Sequence, residues 1–86
     1  MSTIQRVAEA VKGIRDHLDR EPRLSVRPSE GVITVNVQGW DSVDRPMGEV
    51  REALTSAGIA IIREEDCDVG DEDCPKSWGV VYVSLQ

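Results

Sequence analysis

The stretch "RLSVRPSEGVITVNVQ", residues 23–38, alternates apolar and polar side chains on either side of a single turn signal. Leu24 and Val26 share one side of the first run; Ile33, Val35 and Val37 share one side of the second. Between them stand Pro28, Ser29, Glu30 and Gly31, residues whose fixed or permissive backbones favour turns. A period of two broken by such a turn predicts an antiparallel hairpin over 23–27 and 32–38.

Outward from the hairpin the period changes. Ile4, Val7, Ala8, Val11, Ile14 and Leu18 recur at helical spacing, which predicts an amphipathic helix over 3–20. Ser2 and Gln5 fit a capping box at its start. Asp16 with Arg20 and Arg15 with Asp19 are four residues apart, on the solvent side. Gly13 is a weak point inside this helix, and Pro22 prevents its continuation. On the other side of the hairpin, Val43, Met47, Val50, Leu54 and Ala57 line one face of a second helix at 44–57. Asp44 is its expected N-cap, Pro46 lies in the first turn and Gly58 stops it. The runs "IAIIR" (59–63) and "WGVVYVSL" (78–85) complete the set as two strands.

The succession αββαββ predicts one α+β domain over residues 1–86. It is a two-layer sandwich with a four-stranded, mostly antiparallel sheet and both helices on one face. A ferredoxin-like chain runs βαββαβ, and moving its first strand to the end produces the present order. A circularly permuted ferredoxin-like topology is therefore expected, from element order alone, with a plain four-strand meander as the competing arrangement. Strand 78–85 is central, parallel to 31–38 and antiparallel to 59–64, with 23–27 at an edge. Ile33, Val35, Val37, Ile59, Ile61, Val81, Val83 and Leu85 then meet the helices. Val32, Thr34, Asn36, Ala60, Ile62, Trp78, Val80 and Tyr82 form an open face with an apolar centre. A contiguous patch of that kind marks association, and Trp78, Val80 and Tyr82 are its expected anchors, for a partner or a homodimer.

The charge is lopsided. The chain has 86 residues and a net charge of −6. Glu64, Glu65, Asp66, Asp68, Asp71, Glu72 and Asp73 place seven acids and no base within 64–73, leaving nine acids against ten bases elsewhere. Direct nucleic-acid binding is disfavoured, because it wants a net basic face. Arg20, Arg23 and Arg27 form a basic edge whose plainer use is to discourage sheet-to-sheet aggregation. No run nears the ~18 apolar residues of a membrane span, and the charged opening residues lack a signal peptide's apolar centre, so the expected location is the cytoplasm.

Metal, redox and catalytic readings of the acidic stretch find little support. A calcium loop opening at Asp66 would need Gly at the sixth position and Glu at the twelfth, where Asp71 and Ser77 stand. Zinc wants four Cys or His ligands, and only Cys67, Cys74 and the distant His17 are present. Cys67 and Cys74 have a spacing that permits a disulfide across a hairpin neck, but a cytoplasmic compartment favours thiols. Nearby carboxylates raise thiol pKa values and weaken them as nucleophiles. There is no phosphate loop, no nucleophile elbow and no apolar pocket to tune a carboxylate pair. Neither cofactor, metal nor catalytic group is expected.

The remaining expectation is a non-enzymatic interaction module. Its acidic hairpin loop, 64–73, enters a basic, nucleic-acid-handling surface, with Trp78 as an apolar anchor at the base. A phage-type inhibitor of a CRISPR effector is one such protein, because the guide–target channel of those effectors is positively charged. The alternative is a phage or bacterial assembly protein that self-associates through the open sheet, its acidic loop serving solubility.

Overall fold

A computed structural model describes residues 2–14, 21–39, 44–67 and 78–85, with the side chains of Asp44, Asp66 and Cys67 left out. The elements follow as α1 (Thr3–Val11), β1 (Arg23–Arg27), β2 (Val32–Gln38), α2 (Asp44–Ser56), β3 (Ile61–Cys67) and β4 (Trp78–Ser84). Two helices and a four-stranded sheet make an α+β sandwich.

Helix α1 begins as its sequence requires. The side-chain Oε1 of Gln5 accepts from the Ser2 N–H at 3.1 Å, and Ser2 Oγ accepts from the Gln5 N–H at 3.3 Å. This reciprocal box satisfies two of the donors that a helix start leaves unpaired. The helix ends far earlier than residue 20. Lys12 is extended, Gly13 takes a φ of 91°, and Ile14 N–H returns to the Val11 carbonyl at 3.2 Å. That is a type II turn, whose third position needs the positive φ that glycine adopts at no steric cost. Gly13 is thus the stop rather than an interior weak point. The expected pairs of Arg15, Asp16, Asp19 and Arg20, with His17 and Leu18, lie outside the described residues. Val7 and Val11 are buried, Ile4, Ala10 and Ile14 pack against them, and Ala8 is exposed.

Helix α2 ends as Gly58 predicts. Ile59 N–H donates to the Leu54 carbonyl at 2.9 Å and Gly58 N–H to the Thr55 carbonyl at 3.0 Å, with Gly58 at φ 76°. This is a Schellman motif, and the buried Ile59 and Leu54 supply its apolar contact. Arg6 of α1 caps the same end, its Nη2 donating to the Ala57 carbonyl at 2.9 Å. A guanidinium there also opposes the negative end of the helix dipole. Met47, Val50 and Leu54 are buried, whereas Ala57 is exposed; Val43 lies outside the described residues.

The sheet order is β1-β2-β4-β3 and every pairing is antiparallel. The expected parallel pair of β4 with β2 is therefore wrong: Val35 faces Val81 and Ile33 faces Val83 in an antiparallel ladder. Since β2 and β3 each run antiparallel to β4, they are parallel to each other. The connection through α2 carries the chain past one strand position, which β4 then fills. Ile33, Val35, Val37, Val81 and Val83 join Val7, Val11, Met47, Val50, Leu54 and Ile59 in one cluster, so both helices cover the same face.

Two details of the sheet shape its two faces. Gly79 sits under α2, where a Cβ would meet Met47 Sδ at 2.7 Å, so the thioether occupies the notch that glycine leaves. In β3 the register slips between Ile61, which faces Val83, and Arg63, which faces Tyr82. Ile62 is the extra residue, and such a bulge reverses the alternation beyond it.

Candidate functional site

The bulge decides which way the acidic end of β3 faces. Straight alternation would turn Arg63 and Glu65 to the same side as Ile61, under the helices. Beyond the bulge they instead line up with Tyr82 and Val80 on the open face, and Glu64 lines up with Val81 on the helix side. The open face therefore runs in rows across the strands. One is Ser25, Thr34, Tyr82 and Arg63; the next is Arg23, Asn36, Val80 and Glu65; the last holds Gln38 and Trp78.

Glu64 and Glu65 are strand residues with internal partners. On the helix side Arg51 donates through Nε and Nη2 to the two oxygens of Glu64, both at 2.7 Å. A bidentate guanidinium–carboxylate fork of this length is charge-assisted and geometrically specific. The hydrogen bond from Arg51, more than the opposing effect of partial burial, holds the Glu64 carboxyl below its ordinary range. The same bond raises the Arg51 guanidinium. On the open face Tyr82 Oη donates to Glu65 Oε2 at 3.2 Å, and Arg63 Nη1 lies 3.5 Å from Glu65 Oε1.

Tyr82 is roofed rather than open. The Arg63 guanidinium carbon lies 4.2 Å from the ring centroid, a stacking contact, and that of Arg27 lies 5.9 Å away. Cation–π attraction of this kind contributes about 0.5–1 kcal/mol at exposed sites. Tyr82 and Val80 are only 5 % and 4 % exposed, so they offer little contact area to a partner. Thr34 is buried as well. Its Oγ1 donates to the Ser25 carbonyl and accepts from Asn36 Nδ2, which also donates to the Arg23 carbonyl at 3.2 Å. The apolar centre expected on this face is replaced by a layer of arginines and amides.

What stays open is at the ends. Trp78 is 41 % exposed in the last row, and Ile62 is 54 % exposed at the bulge. The pairing of Cys67 with Trp78 closes the β3–β4 hairpin, so the acidic segment 68–77 leaves and rejoins the sheet beside the Trp78 indole. Asp68, Asp71, Glu72, Asp73 and Cys74, with the side chains of Asp66 and Cys67, lie outside the described residues, and so does the proposed disulfide. Among the described residues no helix is long and apolar enough to cross a membrane.

The predicted site residues thus divide. Glu64, Glu65, Val80 and Tyr82 are engaged within the fold, and Trp78 is 41 % exposed. Arg27 and Arg63, which sequence reasoning did not place beside Tyr82, are the residues it missed. The alternation of 59–65 carries no mark of the bulge, so no local signal could have found Arg63. No protein-family model matches the chain, and no curated protein is significantly similar to it.

Proposed function

We propose that the chain is a non-enzymatic protein-interaction module that engages a basic partner surface with the Trp78 end of its β3–β4 hairpin. The observation that carries this reading is the exposed indole at the hairpin neck, next to the points where the acidic segment departs and returns. Exposed tryptophan is costly to leave unpaired and is enriched among interface anchors. With Glu64 paired to Arg51 and Glu65 to Tyr82 and Arg63, the contacting acids are Asp68, Asp71, Glu72 and Asp73. Carboxylates at a strand-pair end focus a field that speeds encounter with a positive groove. Surfaces that handle nucleic acid have such grooves, and inhibition of a nucleic-acid effector by a phage-type protein is one use of this chemistry. The order β1-β2-β4-β3, with β2 and β3 parallel around β4, supports a circularly permuted ferredoxin-like topology as the scaffold.

The test uses an arginine-rich peptide as a defined basic probe, titrated against the full chain at 50 and 300 mM salt. Binding is expected to weaken at least tenfold with salt. It is expected to fall further in Trp78→Ala and in the combined Asp68→Asn, Asp71→Asn, Glu72→Gln, Asp73→Asn variant, both still folded by circular dichroism. Equal binding by folded wild-type and neutralised chains would sink the reading.

A further inference from the structure

We propose that the outer edge of β1 docks an extended, acidic segment of another protein as a fifth strand of the sheet. β1 and β3 are the two edge strands, and among the described residues the outer side of β1 pairs with no strand. The two edges are built differently. β3 carries a bulge at Ile62 and charged side chains on both faces, Arg63 and Glu65 on one and Glu64 on the other. Bulges and charges of this kind keep an edge from recruiting a stranger. β1, bounded by Pro22 and Pro28, has no bulge and holds a regular register over all of Arg23–Arg27; its charges are of one sign, Arg23 and Arg27, which discourage a basic strand or a second copy but not an acidic one.

The side chains of β1 are sorted by face. Arg23, Ser25 and Arg27 point away from the helices. Leu24 and Val26 lie on the helix side, in line with Val35 and Ile33. Val26 is nonetheless 39 % exposed and Leu24 is half-buried, so the apolar layer stops short of the edge. An incoming strand would set its alternate side chains beside two guanidiniums on one face, Arg23 and the half-exposed Arg27 that Glu30 meets at 3.4 Å, and an apolar ledge on the other. Cross-strand neighbours then favour acids opposite Arg23 and Arg27 and aliphatic residues opposite Leu24 and Val26. Main-chain bonds would supply affinity, and this alternation specificity.

A second copy fits poorly. Two β1 edges pairing antiparallel about Ser25 would set Arg23 against Arg27, a like-charge pair that destabilises a ladder. A β3 edge would bring Glu64, on the helix side, to the apolar ledge. A nucleic acid offers phosphates to the arginines but nothing to Val26 or to the unpaired main chain.

The experiment titrates the full chain with a fluorescent, end-blocked Val-Asp octapeptide and with its Val-Lys counterpart. Two N-methylated versions of the Val-Asp peptide each block one alternate set of amides. The Val-Asp peptide is expected to bind at least tenfold tighter than Val-Lys. Methylation of one set should abolish binding and methylation of the other should leave it within about threefold. The Arg23→Glu/Arg27→Glu variant, folded by circular dichroism, should reverse the preference. Absence of Val-Asp binding at millimolar concentration overturns the proposal, as does equal binding of both methylated peptides. So does tighter binding of a fifteen-residue oligothymidylate, or a dimer in solution that Val26→Lys dissociates. Neutralising Asp68, Asp71, Glu72 and Asp73 should leave Val-Asp binding intact, which separates this site from the hairpin end.

Discussion

Substituting Gly79 with alanine tests how closely α2 is seated on the sheet. The added Cβ would lie 2.7 Å from Met47 Sδ, 3.1 Å from Cε and 3.2 Å from Cγ. Real carbon–sulfur contacts are nearer 3.5–4.0 Å, so Met47 must move by most of an ångström. Met47 is only 3 % exposed and belongs to the core cluster with Val37, Val50 and Val81. Its thioether is flexible, which puts the cost inside the usual overpacking range of about 1–3 kcal/mol rather than above it. Met47→Ala alone should cost about 2–4 kcal/mol through lost burial and the space left behind. Together the two changes should cost at least 1 kcal/mol less than their sum, because the alanine methyl enters the space that Met47 vacates. Urea denaturation of the four chains, followed by circular dichroism at constant m-value, gives the coupling directly. Each kcal/mol corresponds to a Tm change of about 4–8 °C in a domain of this size, so thermal melts provide a second reading. Additivity within 0.5 kcal/mol would refute the close approach of Met47 to Gly79.

Other perturbations follow from single features. Glu64→Gln should cost no more than about 1 kcal/mol at pH 7, since the pair is partly solvated, with Arg51 53 % and Glu64 26 % exposed at the side chain. The Glu64 carboxyl titrates lower in the folded chain, so its contribution is present above the ordinary value of 4.5 and disappears as pH falls through the folded value. Wild-type and Glu64→Gln melts should converge at pH 2–3, and a gap that persists there would exclude the ion pair as its source. Deleting Ile62, the extra residue, should restore a regular β3–β4 ladder with Arg63 still opposite Tyr82 and Glu65 still opposite Val80, so it should cost less than about 3 kcal/mol by urea denaturation, and Ile62→Thr should change stability by less than about 0.5 kcal/mol. Gly58→Ala should cost about 1–2 kcal/mol through its positive φ, measurable by denaturation, and a neutral result would contradict the Schellman geometry.

The residues that the sequence makes readable are those whose conformation is settled within a few neighbours. The capping box of Ser2 and Gln5, the turn at Pro28–Gly31 and the stop at Gly58 were all legible. In each, the side chain or the glycine acts on backbone three to five residues away. Gly13 was legible as a glycine but not in its role. An interior weak point and a type II turn look alike until one knows whether Ile14 bends back into the core. Likewise "IAIIREED" is apolar on both faces at its start, so no period reveals that one residue is extra.

Local periodicity and turn chemistry by themselves determined two helices and a four-stranded sheet, and the core positions Val7 and Val11 of α1 and Met47, Val50 and Leu54 of α2, but not the exposure of Ala8 and Ala57. The ladder with β4 decided the rest. It slipped the register at Ile62, turned Arg63 onto Tyr82, and brought Glu64 to Arg51 of α2. It also set β2 antiparallel to its central neighbour. A bulge is stable only against a particular partner strand, and an ion pair only where two elements meet. Such facts belong to contacts between distant segments, which a pattern running along the chain does not record.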